Sequence, residues 1–107
     1  MPDDNQVTEI RTYRLHESGR DKFHQVMASQ AVPLMTAAGL KVVYFGPCAA
    51  DPNAYLLIRA FASPADRELE KAAFYGSAAW KDGIEAEVMS CIDTYLTAVV
   101  HGPIGVR

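Results

Sequence analysis

The sequence predicts an α+β fold in which four strands and two helices follow one another in the order βαββαβ. Three observations support this order: runs rich in β-branched and aromatic residues, two longer segments with apolar residues at helical spacing, and turn residues between them. This order is typical of a ferredoxin-like domain with a four-stranded antiparallel sheet. We expect a single domain over residues 1–107, with its core in residues 7–100 and an irregular tail in residues 101–107.

The first strand and the first helix are predicted from opposite periodicities. Val7–Leu15 alternates polar and apolar residues, which indicates a strand. Asp21–Ala38 carries apolar residues at helical spacing, and Gly39 is suited to the position just beyond a helix end. Pro33 should interrupt this helix, because proline removes one backbone donor and its ring clashes with the preceding turn.

The second half of the chain repeats the pattern after a hairpin. Leu40–Phe45 and Tyr55–Ala62 are predicted to form the hairpin strands. Ser63, followed by proline, is suited to cap a second helix, which should break near Gly76. Ile92–Val100 is predicted to be the last strand. The charged run at residues 66–71 is interpreted as a solvated helix face.

Composition excludes several classes of function. The net charge of −3 argues against a nucleic-acid binder. The sequence has neither a membrane-spanning apolar run nor a signal sequence at its polar start, so we expect no membrane association and a cytoplasmic location. Cys48 and Cys91 are isolated and are predicted to be reduced thiols. We expect no metal site and no cofactor, because no ligand cluster or phosphate-binding loop is present.

Both faces of the strands are substantially apolar, which predicts a homodimer. On the third strand, one face is aliphatic (Leu56, Ile58, Ala60) and the other is more aromatic and carries an arginine (Tyr55, Leu57, Arg59, Phe61). The last strand likewise places Leu96, Ala98 and Val100 opposite Tyr95, Thr97 and Val99. We expect the aliphatic faces to pack on the helices and the other faces to meet those of a second subunit. Two facing sheets would enclose a ligand cavity.

Several short motifs, taken in order, resemble the NIPSNAP family of dimeric α/β-barrel proteins. They are Glu9–Tyr13 (Glu-Ile-Arg-Thr-Tyr), Gly39, the Gly46 hairpin, Pro52-Asn53 and Ser77–Trp80 (Ser-Ala-Ala-Trp). The resemblance covers roughly residues 7–100. It implies the dimeric barrel fold and a cavity, but no particular reaction. The wider superfamily includes small monooxygenases, haem-degrading enzymes and isomerases.

Two arginines are the leading candidates for ligand binding. Arg11 and Arg59 lie on strands that are adjacent in this topology, where a carboxylate-bearing ligand would accept forked hydrogen bonds from both. Tyr13, Tyr55 and Tyr95 share the same strand faces and would orient such a ligand. The favoured alternative for the arginines is structural pairing, internally with Glu9 or Asp93 or at the dimer interface.

His24 and Trp80 are candidates with simpler alternative explanations. His24 lies at the edge of the first helix's apolar stripe, where it would serve as a general base or, in a haem protein, as an axial ligand. Packing is the favoured explanation. Trp80 is interpreted as a core or interface anchor, with ligand stacking as the alternative.

Two hypotheses about function follow. In the first, an inter-sheet cavity binds a small aromatic or carboxylated metabolite, and the enzymatic version of this hypothesis is a cofactor-independent monooxygenase or isomerase. In that version, His24 is the candidate base and Tyr13 polarises the substrate. In the second, the protein is a non-enzymatic binding or interaction module of a stress or metabolic pathway. An open cavity favours the first hypothesis. The second is favoured if Glu9, Asp93 or the partner subunit pairs with both arginines and aromatic side chains fill the remaining space.

Overall fold

The computed structural model describes residues 5–103, which contain four strands and two helical regions. The strands are β1 (Val7–Leu15), β2 (Lys41–Pro47), β3 (Ala54–Phe61) and β4 (Ile92–His101). The α-helices are α1 (Arg20–Val26), α2 (Val32–Ala37), α3 (Pro64–Tyr75) and α4 (Glu85–Cys91). The strands form one antiparallel sheet in the order β2-β3-β1-β4. This is the predicted ferredoxin-like arrangement; the sheet of the chain is open and does not close into a barrel.

A π-helical turn joins α1 to α2 immediately before Pro33. The turn spans Met27–Ala31, and the Val32 N–H reaches back five residues to the Met27 carbonyl. Proline cannot donate a hydrogen bond to the carbonyl four residues earlier. The wider turn accommodates this missing bond, at the interruption that the sequence predicts.

The predicted helix signals at Gly39 and Ser63 are confirmed. Gly39 adopts φ +94°, a conformation that side chains disfavour, and the Leu40 N–H closes the helix end on the Met35 carbonyl. The Ser63 hydroxyl accepts a hydrogen bond of 3.0 Å from the Asp66 N–H at the start of α3. The predicted tail starts one residue too early, because β4 continues through His101; Gly102 and Pro103 are irregular as predicted, and residues 104–107 lie outside the described residues.

The predicted orientation of the strand faces is wrong. The face carrying Tyr55 and Arg59 points toward the helices: the Tyr55 ring lies 4.9 Å from the Phe23 ring of α1, and Arg59 reaches Met35 of α2. Pairing in register places Tyr95 on this same side, opposite Tyr13. The large rings fill the layer between sheet and helices, and the arginine is neutralised there by an internal carboxylate.

The opposite face of the sheet is aliphatic and uncovered in the single chain. It carries Leu56 and Ile58 from β3, and Leu96 and Val100 from β4. Leu96 is 79% exposed and Val100 is 38% exposed. The helices cover mainly β1 and β3, so that nearly all of β4 is exposed at the sheet edge. This edge is where the layer between sheet and helices opens to solvent.

Two further features bear on the class of protein. None of the helices in residues 5–103 is long and apolar enough to cross a membrane. Cys48 and Cys91 are both free thiols, the first partly buried and the second buried.

Candidate functional site

A cavity of about 480 Å³ opens between the helix-facing side of β1 and β4 and the helices above it. Its volume is within the range of small-molecule sites. Its walls are mainly aromatic and aliphatic, with three charged side chains. The lining residues are Arg11, Tyr13, Lys71, Tyr75, Trp80, Glu85, Val88, Met89, Ile92 and Tyr95. The cavity thus lies within one chain, on the side of the sheet that faces the helices. We expected it on the opposite side of the sheet, between the sheets of two subunits.

Arg11 provides an uncommitted cation in the cavity wall. Its guanidinium carbon lies 4.7 Å from the centre of the Tyr95 ring, and its Nε donates a hydrogen bond of 3.1 Å to the Thr97 hydroxyl. These contacts fix the guanidinium plane and leave other N–H groups for further bonds. Among the ion pairs of residues 5–103, none involves Arg11.

Tyr13 contributes a buried hydroxyl that stays protonated at neutral pH. Its ring lies between those of Phe23 and Tyr95, at centroid distances of 5.2 and 6.0 Å. Burial raises the pKa of Tyr13 to about 12, against the opposing effects of Arg11 and Arg59. The predicted role of orienting or polarising a ligand therefore requires Tyr13 to act as a hydrogen-bond donor.

Trp80 lies in a second π-helical turn, Ala79–Ile84, and is both a core residue and part of the cavity wall. It packs edge-to-face against Tyr75 at 5.0 Å and also contacts Phe74. Only 6% of its surface is exposed. Both interpretations of Trp80 from the sequence are compatible with this position.

Beside the cavity, one buried carboxylate binds three cations. The Glu9 Oε1 atom accepts a hydrogen bond of 2.9 Å from the Arg59 Nε. The other oxygen accepts bonds from the Arg67 Nε at 2.9 Å and from the Lys71 Nζ at 2.8 Å. Burial alone would raise the pKa of Glu9, but Arg59 and Lys71 outweigh it and lower the pKa to about 2.

The Glu9 cluster (Glu9, Arg59, Arg67 and Lys71) has an excess of positive charge: Glu9 pairs with all three cations, and the exposed Glu68 pairs in addition with Arg67, so two carboxylates serve three cations. Lys71 extends this excess to the cavity, because its side chain lines the wall and is 17% exposed. Burial lowers the pKa of Lys71, and the nearby positive charge of Arg11 lowers it further. The hydrogen bond to Glu9 opposes both effects. The cavity end formed by Arg11 and Lys71 is therefore electropositive.

Arg59 is structural in this arrangement. It is fully buried, is paired with Glu9, and donates a hydrogen bond of 2.8 Å from Nη1 to the Tyr75 hydroxyl. It does not line the cavity. The favoured sequence interpretation, internal pairing with Glu9, thus holds for Arg59, and its direct effect on the cavity is to hold Tyr75 in the wall.

His24 and Tyr55 form a separate pair in the same layer between sheet and helices, but toward β2, away from the cavity at β1 and β4. The His24 Nδ1 atom lies 2.5 Å from the Tyr55 hydroxyl, and the imidazole ring lies near Phe45 of β2. Tyr55 is fully buried, and burial raises its pKa. Neither residue lines the cavity, so the structure does not bring the candidate base His24 together with Arg11 and Tyr13.

Three polar residues of the cavity wall were missed from the sequence: Lys71, Tyr75 and Glu85. Lys71 belongs to the charged run interpreted as a solvated face, yet it and Arg67, one turn earlier, both turn inward to Glu9. Their i, i+4 spacing was the available signal. Glu85 carried no comparable signal. Among the described residues, no group of three or more metal-ligating side chains occurs.

The model of the NIPSNAP family matches residues 8–98, which is most of the chain. The chain belongs to the NIPSNAP family. No curated protein is similar enough in sequence to match it. An uncharacterised NIPSNAP-like domain protein from Burkholderia xenovorans has a similar structure (TM-score 0.84, 13% identity, 97% of this chain and 90% of that chain covered).

Two further solved structures extend the comparison. A NIPSNAP family protein of unknown function from Agrobacterium tumefaciens superposes with a TM-score of 0.83 at 20% identity, covering 92% of this chain and 88% of that chain. A Nitrosomonas europaea protein, provisionally described as an antibiotic biosynthesis monooxygenase, has a TM-score of 0.67 at 15% identity, with 92% and 91% covered. At these identities the likeness establishes the shared fold.

Proposed function

We propose that this NIPSNAP-family protein binds a small anionic aromatic molecule in the cavity between its sheet and helices. The observation that carries the proposal is Arg11, a partly buried guanidinium held against Tyr95 without an ion-pair partner among residues 5–103. A carboxylate or similar anion would accept forked hydrogen bonds from it. The ring of the ligand would lie among Tyr13, Tyr75 and Trp80.

The positive charges at the end of the cavity formed by Arg11 and Lys71 support an anion. Lys71 faces the cavity but shares Glu9 with Arg59 and Arg67, so its charge is only partly compensated. A partly desolvated cation gains most from an additional negative partner. An anion near Arg11 and Lys71 would interact with both side chains at once.

The two arginines bear differently on the two functional hypotheses. Arg59 is consumed by Glu9, which favours a non-enzymatic interaction module. Arg11 remains available in an open cavity, which favours small-molecule binding. Because the open cavity was the feature that separates these hypotheses, we prefer the small-molecule function.

Catalytic turnover of the bound molecule is the second candidate. Lys71, whose pKa is lowered by burial, and the protonated Tyr13 hydroxyl both line the cavity and are suited to move or donate protons. Cofactor-independent isomerase or monooxygenase chemistry is compatible with these groups, and the monooxygenase description of the Nitrosomonas protein supports the latter. His24, at a distance from the cavity, has no part in this version.

The test of ligand binding uses Trp80, the single tryptophan of the chain, as a fluorescent reporter. Benzoate, 3-phenylpropanoate and the neutral 3-phenylpropan-1-ol would be titrated against wild type and Arg11→Gln. We expect an anion to change the fluorescence saturably and to bind about tenfold more tightly than the alcohol, with the preference lost in Arg11→Gln. Arg14→Gln is the matched control, because Arg14 pairs with Asp51 outside the cavity.

A second measurement separates binding from nonspecific quenching. Ligand at about 100 times its dissociation constant should stabilise the fold by about 2.7 kcal/mol, which is readable as a shift in Tm. Saturable binding with this shift supports the proposal. Equal binding of the alcohol and the anions, or no binding of any of the three, would overturn it.

We also propose that the protein forms a homodimer through the aliphatic face of the sheet. This face is the one opposite to our sequence-based expectation. Its support is the exposure of Leu96 and Val100 next to Leu56 and Ile58, a patch that a second copy would remove from water. The cytoplasmic location stays a prediction.

The test of the dimer compares Leu96→Glu with Leu69→Glu in sedimentation experiments. Leu69 is 69% exposed on α3 and serves as the matched control. Wild type and Leu69→Glu should sediment at twice the monomer mass, and Leu96→Glu should sediment as a monomer. A monomeric wild type, or a dimer that tolerates Leu96→Glu, would refute this interface.

A further inference from the structure

The cavity contains a second uncommitted charge, of opposite sign to that of Arg11. Glu85, at the start of α4, lines the cavity and is partly buried. In residues 5–103 it takes part in none of the ion pairs, although Arg11 and Lys71 line the same space. Each cation therefore lies more than the 4.0 Å ion-pair distance from the Glu85 carboxylate. The cavity holds opposite charges that do not neutralise one another directly.

Such an arrangement leaves the charges of Arg11 and Glu85 available to a bound partner. The wall beside Glu85 is formed by the apolar side chains of Val88 and Met89, which offer its carboxylate no charged partner. Lys71 forms a close ion pair with a different carboxylate, at 2.8 Å from Glu9. Glu85 lacks such a contact, so its carboxylate is open to a ligand cation or hydrogen-bond donor.

We propose that the ligand is zwitterionic, an aromatic amino acid or a close analogue, whose carboxylate binds Arg11 and Lys71 and whose ammonium group binds Glu85. This inference rests on the proposed function and makes its ligand class more specific. Both charges of such a ligand would find opposite charges, and its ring would find aromatic walls at Tyr75 and Trp80. A plain aromatic carboxylate would leave Glu85 without a partner, and a plain aromatic amine would leave Arg11 without one.

The experiment compares three molecules that differ only in their charged groups: phenylalanine, 3-phenylpropanoate and phenethylamine. Their affinities are measured from Trp80 fluorescence with wild type, Glu85→Gln and Arg11→Gln. With wild type, phenylalanine should bind about tenfold more tightly than either singly charged molecule, since each charged hydrogen-bonding group adds an interaction. Glu87→Gln is the matched control, because Glu87 lies on the same helix, is exposed and does not line the cavity.

The variants assign each charge to its partner. In Glu85→Gln, phenylalanine should lose its advantage over 3-phenylpropanoate but keep its advantage over phenethylamine. In Arg11→Gln the pattern should reverse. Urea unfolding of each variant verifies that it is folded under the conditions of the titration.

The possible outcomes separate this inference from the proposed function. If 3-phenylpropanoate binds as tightly as phenylalanine, the zwitterion inference is overturned and the anion site stands. If phenylalanine keeps its full advantage in Glu85→Gln, the assignment of Glu85 is wrong. If none of the three molecules binds, both proposals fail.

Discussion

Arg59 and Arg11 lie on the same face of two adjacent strands, and the chain uses them in opposite ways. Arg59 is fully buried and donates hydrogen bonds to Glu9 and to the Tyr75 hydroxyl. Arg11 is partly exposed at the cavity, stacked on Tyr95 and bonded to Thr97. The difference arises from position in the sheet. The α3 helix covers β3 and supplies further cations and a tyrosine, whereas β4 is mostly uncovered.

The structural charge cluster lies directly beside the cavity and shares a residue with its wall. Glu9 neutralises part of the charge on Arg59, Arg67 and Lys71, so the cluster stays positive. Lys71 belongs to the cluster and to the cavity wall at the same time. The region that stabilises the fold thereby sets the electrostatic potential of the region that we propose binds the ligand.

The largest effect is expected from Arg59→Met, which keeps the volume of the side chain and removes its charge. The substitution breaks a buried ion pair and leaves the Tyr75 hydroxyl without its donor. We expect the free energy of unfolding to fall by about 3–5 kcal/mol, measured by urea denaturation at pH 7. Arg14→Met, which breaks the exposed pair with Asp51, is the control and should cost less than about 1 kcal/mol. Similar losses in the two variants would contradict the structural role of Arg59.

The next effect is a dependence of stability on pH that originates at Glu9. The pKa of Glu9 falls from its ordinary value of 4.5 to about 2 in the folded protein, because Arg59 and Lys71 outweigh the effect of burial. Since the folded-state pKa is the lower one, ionised Glu9 stabilises the fold above pH 4.5. This stabilisation is lost as the pH falls from about 4.5 through about 2. The full difference corresponds to about 3 kcal/mol.

Glu9→Gln isolates this contribution. Between pH 7 and pH 3, the difference in unfolding free energy between wild type and Glu9→Gln should shrink by about 2 kcal/mol, because most of the change in protonation falls in that interval. Urea denaturation at several pH values measures it. A difference that stays constant over this range would show that Glu9 is not the source of the dependence.

The sequence was sufficient for the order of the elements because the relevant signals are local. Alternation in Val7–Leu15, the capping hydroxyl of Ser63 and the glycine at position 39 each act within a few residues, and the structure has each feature in place. The pairing of β1 with β3 followed from the topology that these elements define. The family resemblance pointed to the same fold.

The orientation of the strand faces could not be derived in the same way. Both faces of β3 are apolar enough to be buried, so hydrophobicity alone does not choose between them. The choice depends on contacts distant in sequence, such as Arg59 with Glu9 and Lys71 with Glu9. The same contacts turned a charged run of α3 inward and placed Lys71 in the cavity, which is why the site was predicted only in part.

The smallest effect on stability, and the sharpest test of the comparison, is expected from Arg11→Met. This arginine contributes one hydrogen bond to Thr97 and a stacking contact with Tyr95 near the surface, so its removal should lower the free energy of unfolding by only about 1 kcal/mol. The same variant should lose most of the stabilisation that a saturating anionic ligand gives to wild type, measured as the shift in Tm with and without 3-phenylpropanoate. A small loss of stability combined with a large loss of ligand response would separate the two arginines by function. If Arg11→Met instead destabilised the protein as much as Arg59→Met, both arginines would be structural, and the cavity would lack the anchor on which the ligand proposal depends.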